Sequence, residues 1–251
     1  MSAPILSFAQ ARLPLSGRDQ AGWDQAGRSQ ASGNQAGGGR VSAPITLELM
    51  PGSLVVIDPQ GADEAATLAD ACVGLVAPLG GGVLFRGGDW QAMGAAAANA
   101  ARAQIGHCFA GGAWLGHLSM MENLTLAQRF YGQIPEAALV AQAAALARIF
   151  GLPGVPTGLP RTLHRADLAR ASLVRAFLGR PILVVLEEPR SDLPAAVTAP
   201  LVHATRRVRD RGGAVLWLTQ GGALAEPEIP ADARYRLAGG RLIPARAELA
   251  A

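Results

Sequence analysis

Two runs of this chain, "RPILVVLEEP" and "GAVLWLTQ", are apolar at almost every position. A strand with apolar residues on both faces belongs to a sheet that is covered on both sides, and such sheets are mostly parallel. A third apolar run, ending at Asp58, leads through a glycine turn into an apolar-periodic helix. Buried strands that alternate with helices predict an α/β fold with a mostly parallel sheet.

Shorter strands and helices are predicted around these runs. Strands are expected in "PILSFAQARL", on both sides of Pro51-Gly52, in "GGGVLFRGGDW" and "AQIGHCF", and as a hairpin in "ARYRLAGGRLI". Helices are expected at 65–76, 91–103, 165–179 and in "VTAPLVHATRRVRDRG", which stops at Gly212. Residues 119–179 are almost wholly helical in pattern, and Ser119 followed by Glu122 has capping-box spacing. We therefore expect a helical subdomain at 119–179, inserted between sheet strands.

A low-complexity tract at 17–41 follows the first predicted strand. Within it glutamine recurs every five residues and is followed each time by alanine, at Gln20, Gln25, Gln30 and Gln35. A period of five fits neither a helix nor a strand, and the Gly, Ser and Gln content offers little apolar surface to bury. We expect a flexible insertion within a single domain that spans residues 1–251.

The basic residues are all arginines: the chain has 22 of them and no lysine, and its formal net charge is +3. Four arginines cluster in one predicted helix, at Arg206, Arg207, Arg209 and Arg211. Such a cluster could be a nucleic-acid stripe, but 4 Trp and 2 Tyr in 251 residues provide few platforms for base stacking. We favour a solvated helix face and expect no nucleic-acid partner.

Cysteine and histidine show no metal-binding pattern. Cys72 and Cys108 lie in apolar segments, where buried free thiols are expected. The histidines, each expected at the surface or satisfied within the core, are scattered at His107, His117, His164 and His203. The N-terminus has no basic start and no sustained apolar core, and no apolar run is long enough to span a bilayer. We expect a cytoplasmic protein without membrane insertion.

The order of these segments resembles the ATP-binding subunit of ABC transporters along nearly the whole chain. Three stretches carry the resemblance: "MPGSLVVIDPQG…LADACVGLVAPLGGGVLFRGGDW", "IGHCFAGGAWLGHLSMMENLTL" and "LPRTLHRADLARASLVRAFLGRPILVVLEEPRSDLP". They are similar to the family's phosphate-loop region, its glutamine-loop region, and its signature helix with the Walker B strand. The resemblance implies a P-loop NTPase-like fold with an antiparallel N-terminal β part and an inserted helical subdomain.

The resemblance places a phosphate loop at 58–66, where most nucleotide-contacting residues are replaced. The family pattern falls on Asp58, Pro59, Gln60, Gly61, Ala62, Asp63, Glu64, Ala65 and Ala66. A working loop needs small residues near the phosphates, a lysine over the β- and γ-phosphates and a hydroxyl on magnesium. Glu64 stands at the lysine position, and alanines replace the hydroxyls. The carboxylate should repel a phosphate charge by about 4 kcal/mol at about 4 Å near a protein surface.

The other nucleotide-contacting positions of the family are altered in parallel. Ala110 stands at the magnesium-sensing glutamine and Gln220 at the switch histidine. The signature becomes Leu163, His164, Arg165, Ala166 and Asp167, and the D-loop becomes Ser191, Asp192, Leu193 and Pro194. Glu187 replaces the Walker B aspartate, and Glu188 matches the family's general base. Without the lysine and the magnesium hydroxyl, we expect Glu188 to be vestigial. Alternatively, both glutamates are polar residues at the exposed end of a buried strand.

Two residues could contact a nucleotide in other ways. In the family's dimers the signature helix faces a nucleotide held by the other subunit, so Arg165 could offer its guanidinium to a partner's γ-phosphate. Trp23 lies roughly where the family places an aromatic residue under the adenine. A solvated arginine and a tryptophan within a spacer are the alternative interpretations.

The resemblance implies a subunit that pairs with a second ATP-binding subunit and docks on a membrane permease through residues 110–125. It would lie peripherally on the inner face of the cell membrane. The replaced residues predict a catalytically impaired, structural or regulatory half that binds ATP weakly or not at all, with Mg²⁺ only where ATP binds. Two alternatives remain: a divergent ATPase in which an arginine replaces the lysine, and a soluble protein-binding regulatory module without a permease.

Overall fold

The computed structural model describes residues 3–15, 41–131, 134–220 and 228–245. The strands in these ranges are β1 (Leu6–Arg12), β2 (Ile45–Leu49), β3 (Leu54–Pro59), β4 (Gly80–Phe85), β5 (Gly88–Asp89), β6 (Ile105–Cys108), β7 (Leu183–Glu187), β8 (Ala214–Leu218), β9 (Ala233–Ala238) and β10 (Arg241–Pro244). The α-helices are α1 (Ala62–Cys72), α2 (Ala95–Arg102), α3 (Met120–Tyr131), α4 (Glu136–Ile149), α5 (Arg165–Phe177) and α6 (Thr198–Asp210).

A six-stranded sheet has the strand order β10-β9-β3-β8-β7-β6. The strands from β9 to β6 run parallel, and β10 pairs antiparallel with β9 at one edge. The two apolar runs form β7 and β8, which lie inside the sheet and are buried at every position. The mostly parallel sheet predicted from these runs is therefore confirmed.

A second sheet, of order β2-β1-β4-β5, is antiparallel and forms the N-terminal β part. One hydrophobic cluster joins this sheet to α1 and to one face of the parallel sheet. The cluster contains Phe8 of β1, Leu68 of α1 and Leu216 of β8. The strands on either side of the Pro51-Gly52 turn, β2 and β3, consequently belong to different sheets.

The other face of the parallel sheet is covered by helices. Leu124 of α3, Leu139 of α4, Val174 of α5 and Leu201 of α6 share one buried cluster with Trp217 of β8. Successive strand residues point to opposite faces of a sheet, which is why neighbouring residues of β8 belong to different clusters. Between β6 and β7 the chain forms α3, α4 and α5, and the described part of 119–179 contains no strand.

Local capping chemistry sets the ends of two helices. At the start of α3, the Ser119 N–H and hydroxyl donate to Glu122 Oε2 at 2.8 and 2.6 Å, and the Glu122 N–H donates to Ser119 Oγ at 3.3 Å. This is the predicted capping box. After α6, Gly212 adopts φ +78°, the left-handed conformation that favours glycine at a helix end. Both predictions are confirmed.

The glutamine-repeat insertion at 17–41 lies outside the described residues except for Val41, and Trp23 lies outside them as well. Val41 forms an antiparallel bridge with Pro14, so the chain enters and leaves this tract at neighbouring points. Across the described part of the chain, every helix is too short or too polar to cross a membrane.

Candidate functional site

The turn from β3 into α1 occupies the place of the predicted phosphate loop. β3 ends at Pro59 and α1 begins at Ala62, so Gln60 and Gly61 make the whole connection. Gly61 has φ −152°, which any residue adopts, and a Cβ added there would meet nothing within 4 Å. A phosphate loop spreads its glycines over several residues so that successive backbone N–H groups surround the phosphates. Here two residues separate the strand from the helix, and one of them is glycine.

Helix α1 begins at Ala62 rather than at the predicted Ala65. Asp63 and Glu64 lie in its first turn, where carboxylates stabilise a helix through its dipole. Ala65 and Ala66 are buried and carry no hydroxyl for a magnesium ion. The positive end of the helix dipole, which could attract a phosphate, is therefore already balanced by two carboxylates of the chain.

Glu64 is held by the protein. Its Oε1 accepts a hydrogen bond at 3.1 Å from the N–H of Gly240, in the turn between β9 and β10. Its Oε2 is buried and has no hydrogen-bond partner among the described residues. An adjoining cavity of about 350 Å³ is lined by Leu15, Gln60, Gly61, Ala62, Asp63, Glu64 and Gly239. ATP with Mg²⁺ does not fit these residues, because the Glu64 carboxylate stands where a cation is needed and alanines stand where a hydroxyl is needed.

Glu187, at the Walker B position, ends β7 and is 2% exposed. Its Oε1 lies 2.6 Å from Nε2 of His107, whose ring stacks on Phe109 with centroids 3.8 Å apart. Strand register explains the pair: His107 lies opposite Val185, and Glu187 is two residues further on the same face. The interpretation that Glu187 lies at an exposed strand end is wrong, because the neighbouring strand buries its carboxylate.

Glu188 follows β7 with φ +44°, a left-handed conformation that costs a non-glycine residue roughly 1–3 kcal/mol. Its Oε1 accepts a hydrogen bond from the Gln220 N–H at 2.7 Å, and its Oε2 accepts one from the Thr219 hydroxyl at 3.3 Å. Burial raises the pKa of the Glu188 carboxyl, the two hydrogen bonds lower it, and the nearby charge of Asp58 raises it. The predicted general base, Glu188, and the switch-histidine position, Gln220, are therefore hydrogen-bonded neighbours. The Glu188 carboxylate thus connects the end of β7 to the residues that follow β8.

The glutamine-loop position holds Ala110, which is exposed and offers no side-chain oxygen to a metal ion. The surrounding loop is fastened by Arg175 of α5. The Arg175 guanidinium lies 5.1 Å from the ring centre of Phe109 and 4.5 Å from that of Trp114, and it donates to the Gly112 carbonyl. Burial lowers the pKa of Arg175 to about 10. Arg175 thus connects the signature helix to the loop at 109–114.

The signature position forms the start of α5. His164 precedes the helix without capping it through its side chain, and Arg165 is the first helical residue and is exposed. Within the described ranges no carboxylate pairs with Arg165. An ion pair of 2.8 Å joins Asp167 to Arg170 one turn along the helix. The remaining signature positions, Leu163 and Ala166, are partly buried.

A cleft of about 390 Å³ unites part of the predicted site. It is bounded by the loop at 109–114, the start of α5 and the segment 187–192. Arg165, Glu187 and Glu188 line this cleft, whereas Glu64 lines the separate cavity beside α1. The described residues contain no cluster of three His, Cys, Asp or Glu side chains that could hold a metal ion.

Comparison with known proteins establishes the family. No family model matches the chain. It is 30% identical over 202 residues to the lipoprotein-releasing system ATP-binding protein LolD 1 of Rhodopirellula baltica, covering 79% of this chain and 86% of that protein. It is also 28% identical over 206 residues to the uncharacterized ABC transporter ATP-binding protein MT1014 of Mycobacterium tuberculosis, covering 80% of each. The chain belongs to the ATP-binding subunits of ABC transporters.

A solved structure confirms the ABC ATPase fold. The dimeric MJ0796 cassette, a bacterial ABC transporter cassette, superposes with a TM-score of 0.77 and covers 94% of this chain and 96% of that one. The identity of the two sequences is 14%, so the likeness concerns the fold alone. Some relatives are much longer: the chain spans 49% of the sulfate/thiosulfate import ATP-binding protein CysA of Caulobacter vibrioides.

Two residues that organise this ABC subunit were not identified from sequence. Nothing local marked His107 as the partner of Glu187, because the neighbouring strands are distant along the chain. Arg175 did leave a signal, since it is a charged residue between the apolar positions Val174 and Ala176 of a predicted helix. The two cysteines are confirmed as buried free thiols.

Proposed function

We propose that this ABC subunit is a pseudo-ATPase, the structural or regulatory half of a transporter ATPase pair. The observation that carries the proposal is Glu64, which stands at the lysine position and accepts a hydrogen bond from the Gly240 N–H. Its carboxylate fastens α1 to the turn between β9 and β10. The local charge therefore opposes a triphosphate, and the two-residue turn provides no backbone cradle for one.

The partner subunit in this proposal supplies the working phosphate loop. Arg165, exposed at the start of α5, offers its guanidinium to a nucleotide held by that partner. The dimeric state of the compared cassette supports pairing of this kind. Residues 110–125, which include the exposed Leu115, dock on a permease and keep the subunit on the inner face of the membrane. The release and import proteins among the relatives support a role in transport.

The direct test is ATP binding and turnover by the purified subunit. Calorimetric titration with Mg-ATP should give no heat beyond dilution, and phosphate release should equal that of a blank. The variant Glu188→Gln should leave this baseline unchanged. Turnover that Glu188→Gln abolishes would overturn the proposal and establish the divergent-ATPase alternative.

A restoration experiment separates charge from geometry. The triple variant Glu64→Lys, Ala65→Ser, Ala66→Thr restores the lysine and the hydroxyls of a phosphate loop but keeps Asp63 and the two-residue turn. We expect it to bind Mg-ATP weakly or not at all, because the backbone cradle is still missing. Tight binding by this variant would show that the replaced side chains, and not the short turn, exclude the nucleotide from the native chain.

Pairing with a second ATP-binding subunit and docking on a permease are tested in cells. A tagged chain purified from detergent-solubilised membranes should bring along a permease and a second ATP-binding subunit that has an intact phosphate-loop lysine. Recovery in the soluble fraction, without either subunit, would favour the regulatory module that works without a permease.

A further inference from the structure

The four arginines predicted as one solvated face of α6 take different directions. Arg209 is partly buried: it donates to two backbone carbonyls at 2.7 and 2.8 Å and pairs with Asp232 at 2.9 Å. Arg207 and Arg211 instead lie with Arg180 around an open groove between α4 and α6. The interpretation as a single solvated face is wrong for Arg209, because its guanidinium fastens two chain turns together.

This arginine groove, defined by Arg180, Arg207 and Arg211, has a volume of about 210 Å³. Its apolar lining consists of Ala145, Leu146, Ile149, Phe177, Ala204 and Val208. On the α6 side, His203, Arg207 and Arg211 follow one another at intervals of four, which places them on one face of the helix. The groove therefore combines an apolar floor with a basic rim.

No carboxylate in the described ranges pairs directly with the rim arginines. Within the described residues, none of the three guanidinium groups forms an ion pair or a hydrogen bond. Burial lowers the pKa of Arg211, and the charges of Arg207 and Arg180 lower it further, while Asp210 raises it. The neighbouring cations repel one another, and an anionic occupant would weaken that repulsion.

A second cavity adjoins the arginine groove. Arg180 and Gln142 also line this second cavity of about 510 Å³, whose other polar side chains are Gln104 and Gln128. The two cavities therefore adjoin near the amino ends of β6, β7 and β8. A small anion would fill a fraction of their combined volume, whereas a polypeptide segment could occupy both.

We propose that the arginine groove binds an acidic amphipathic helix of a partner protein. Helices that dock in grooves lay apolar residues on the floor and use flanking charges for register and specificity. Leucine-like side chains of the partner would cover Leu146 and Ile149, and its carboxylates would pair with Arg180, Arg207 and Arg211. The proposal is independent of ATP turnover, because the groove lies at the amino ends of the parallel strands, whereas the phosphate-loop position lies at their carboxyl ends.

The test uses the full-length chain and a fluorescently labelled synthetic helix with leucine on one face and glutamate on the other. A length of about 15 residues suffices, because shorter isolated helices are marginal. Binding followed by fluorescence anisotropy should weaken at least tenfold in Arg207→Glu. The matched control is Arg206→Glu, which makes the same charge change at the next position, also exposed but outside the groove, and should alter binding less than twofold.

Further probes distinguish this site from general charge attraction. A peptide with glutamine in place of glutamate should not bind, and one with leucine and glutamate scrambled around the helix should bind at least fivefold more weakly. Equal weakening by Arg206→Glu and Arg207→Glu, or equal binding of the scrambled peptide, would overturn the proposal. So would binding of phosphatidylglycerol vesicles through Arg207 without peptide binding, which would assign the groove to a lipid. Circular dichroism of each variant verifies folding.

Discussion

At the carboxyl ends of the parallel strands the charged side chains are mostly acids, and the protein itself holds them. Glu64 accepts from the Gly240 N–H, Glu187 pairs with His107, and Glu188 accepts from the Gln220 N–H. In open α/β sheets ligands normally bind at the carboxyl ends of the strands. Here the three carboxylates instead form contacts within the protein.

At the amino ends of β7 and β8 lie two arginines that lack such partners. Arg180 precedes β7 and Arg211 precedes β8, and within the described chain neither forms an ion pair. Charges that stabilise a fold are satisfied internally, whereas charges left open are available to a ligand. The site proposed to have lost ATP binding and the groove proposed to bind a partner thus lie at opposite ends of the same strands.

The largest expected effect comes from removing the partner of the most buried acid. His107→Leu should destabilise the fold by about 3–5 kcal/mol, because it leaves the Glu187 carboxylate buried without a partner. Urea unfolding followed by circular dichroism measures this change. At the opposite edge, Arg207→Gln should change stability by less than about 0.5 kcal/mol.

A double variant tests the reason for that loss. His107→Leu combined with Glu187→Leu should recover most of the stability, because an apolar pair can replace a buried polar pair of similar size. If the double variant is as unstable as the sum of the two single variants, the loss comes from packing and the pair is not coupled.

Arg175 and Arg180 offer a second contrast, since they are five residues apart in the sequence and differ in environment. Arg175→Met should cost about 2–4 kcal/mol, because it removes charged hydrogen bonds and two cation–π contacts. Arg180→Met should cost less than about 0.5 kcal/mol, as most surface substitutions do. Chemical denaturation measures both variants, and amide exchange at 109–114 should accelerate in Arg175→Met alone. Equal losses of stability in the two variants would mean that the contacts of Arg175 contribute no more to stability than the exposed position of Arg180 does.

The fold was predictable from sequence because it depends on local apolar patterns. The runs that form β7 and β8 specified a buried parallel sheet, and Ser119 with Glu122 specified the start of α3. The partners of the acids were not predictable in the same way. Glu64 and Gly240 are 176 residues apart, and His107 and Glu187 are 80 apart. Their contacts depend on strand order and register, which no local pattern encodes.

A smaller effect is expected at the phosphate-loop position. Glu64→Ala should destabilise the protein more than Asp63→Ala, because both remove a carboxylate from the first turn of α1 but only Glu64 bonds the Gly240 N–H. The difference should be about 0.5–1.5 kcal/mol, the usual net contribution of one hydrogen bond. Thermal unfolding of the two variants gives this difference directly. Identical values would mean that Glu64 acts through the helix dipole and not through the turn between β9 and β10.

The smallest expected effect depends on pH and concerns Glu188. Because burial raises the pKa of its carboxyl above the ordinary 4.5, folding favours the protonated form. The stability that protonation provides is present below the unfolded-state pKa and is lost as the pH rises through the folded-state value. Glu188→Gln stays neutral and keeps an acceptor oxygen for the Gln220 N–H, so it should exceed the wild type by a few tenths of a kcal/mol at neutral pH.

The advantage of Glu188→Gln is expected to be small because Glu188 is only partly buried, and water screens its charge. It should shrink as the pH falls toward the ordinary carboxyl pKa, where the wild-type side chain becomes protonated as well. Urea unfolding of both proteins over this pH range measures the trend. An advantage that grows on acidification would mean that the carboxylate, rather than the carboxylic acid, is the form that best ties β7 to β8.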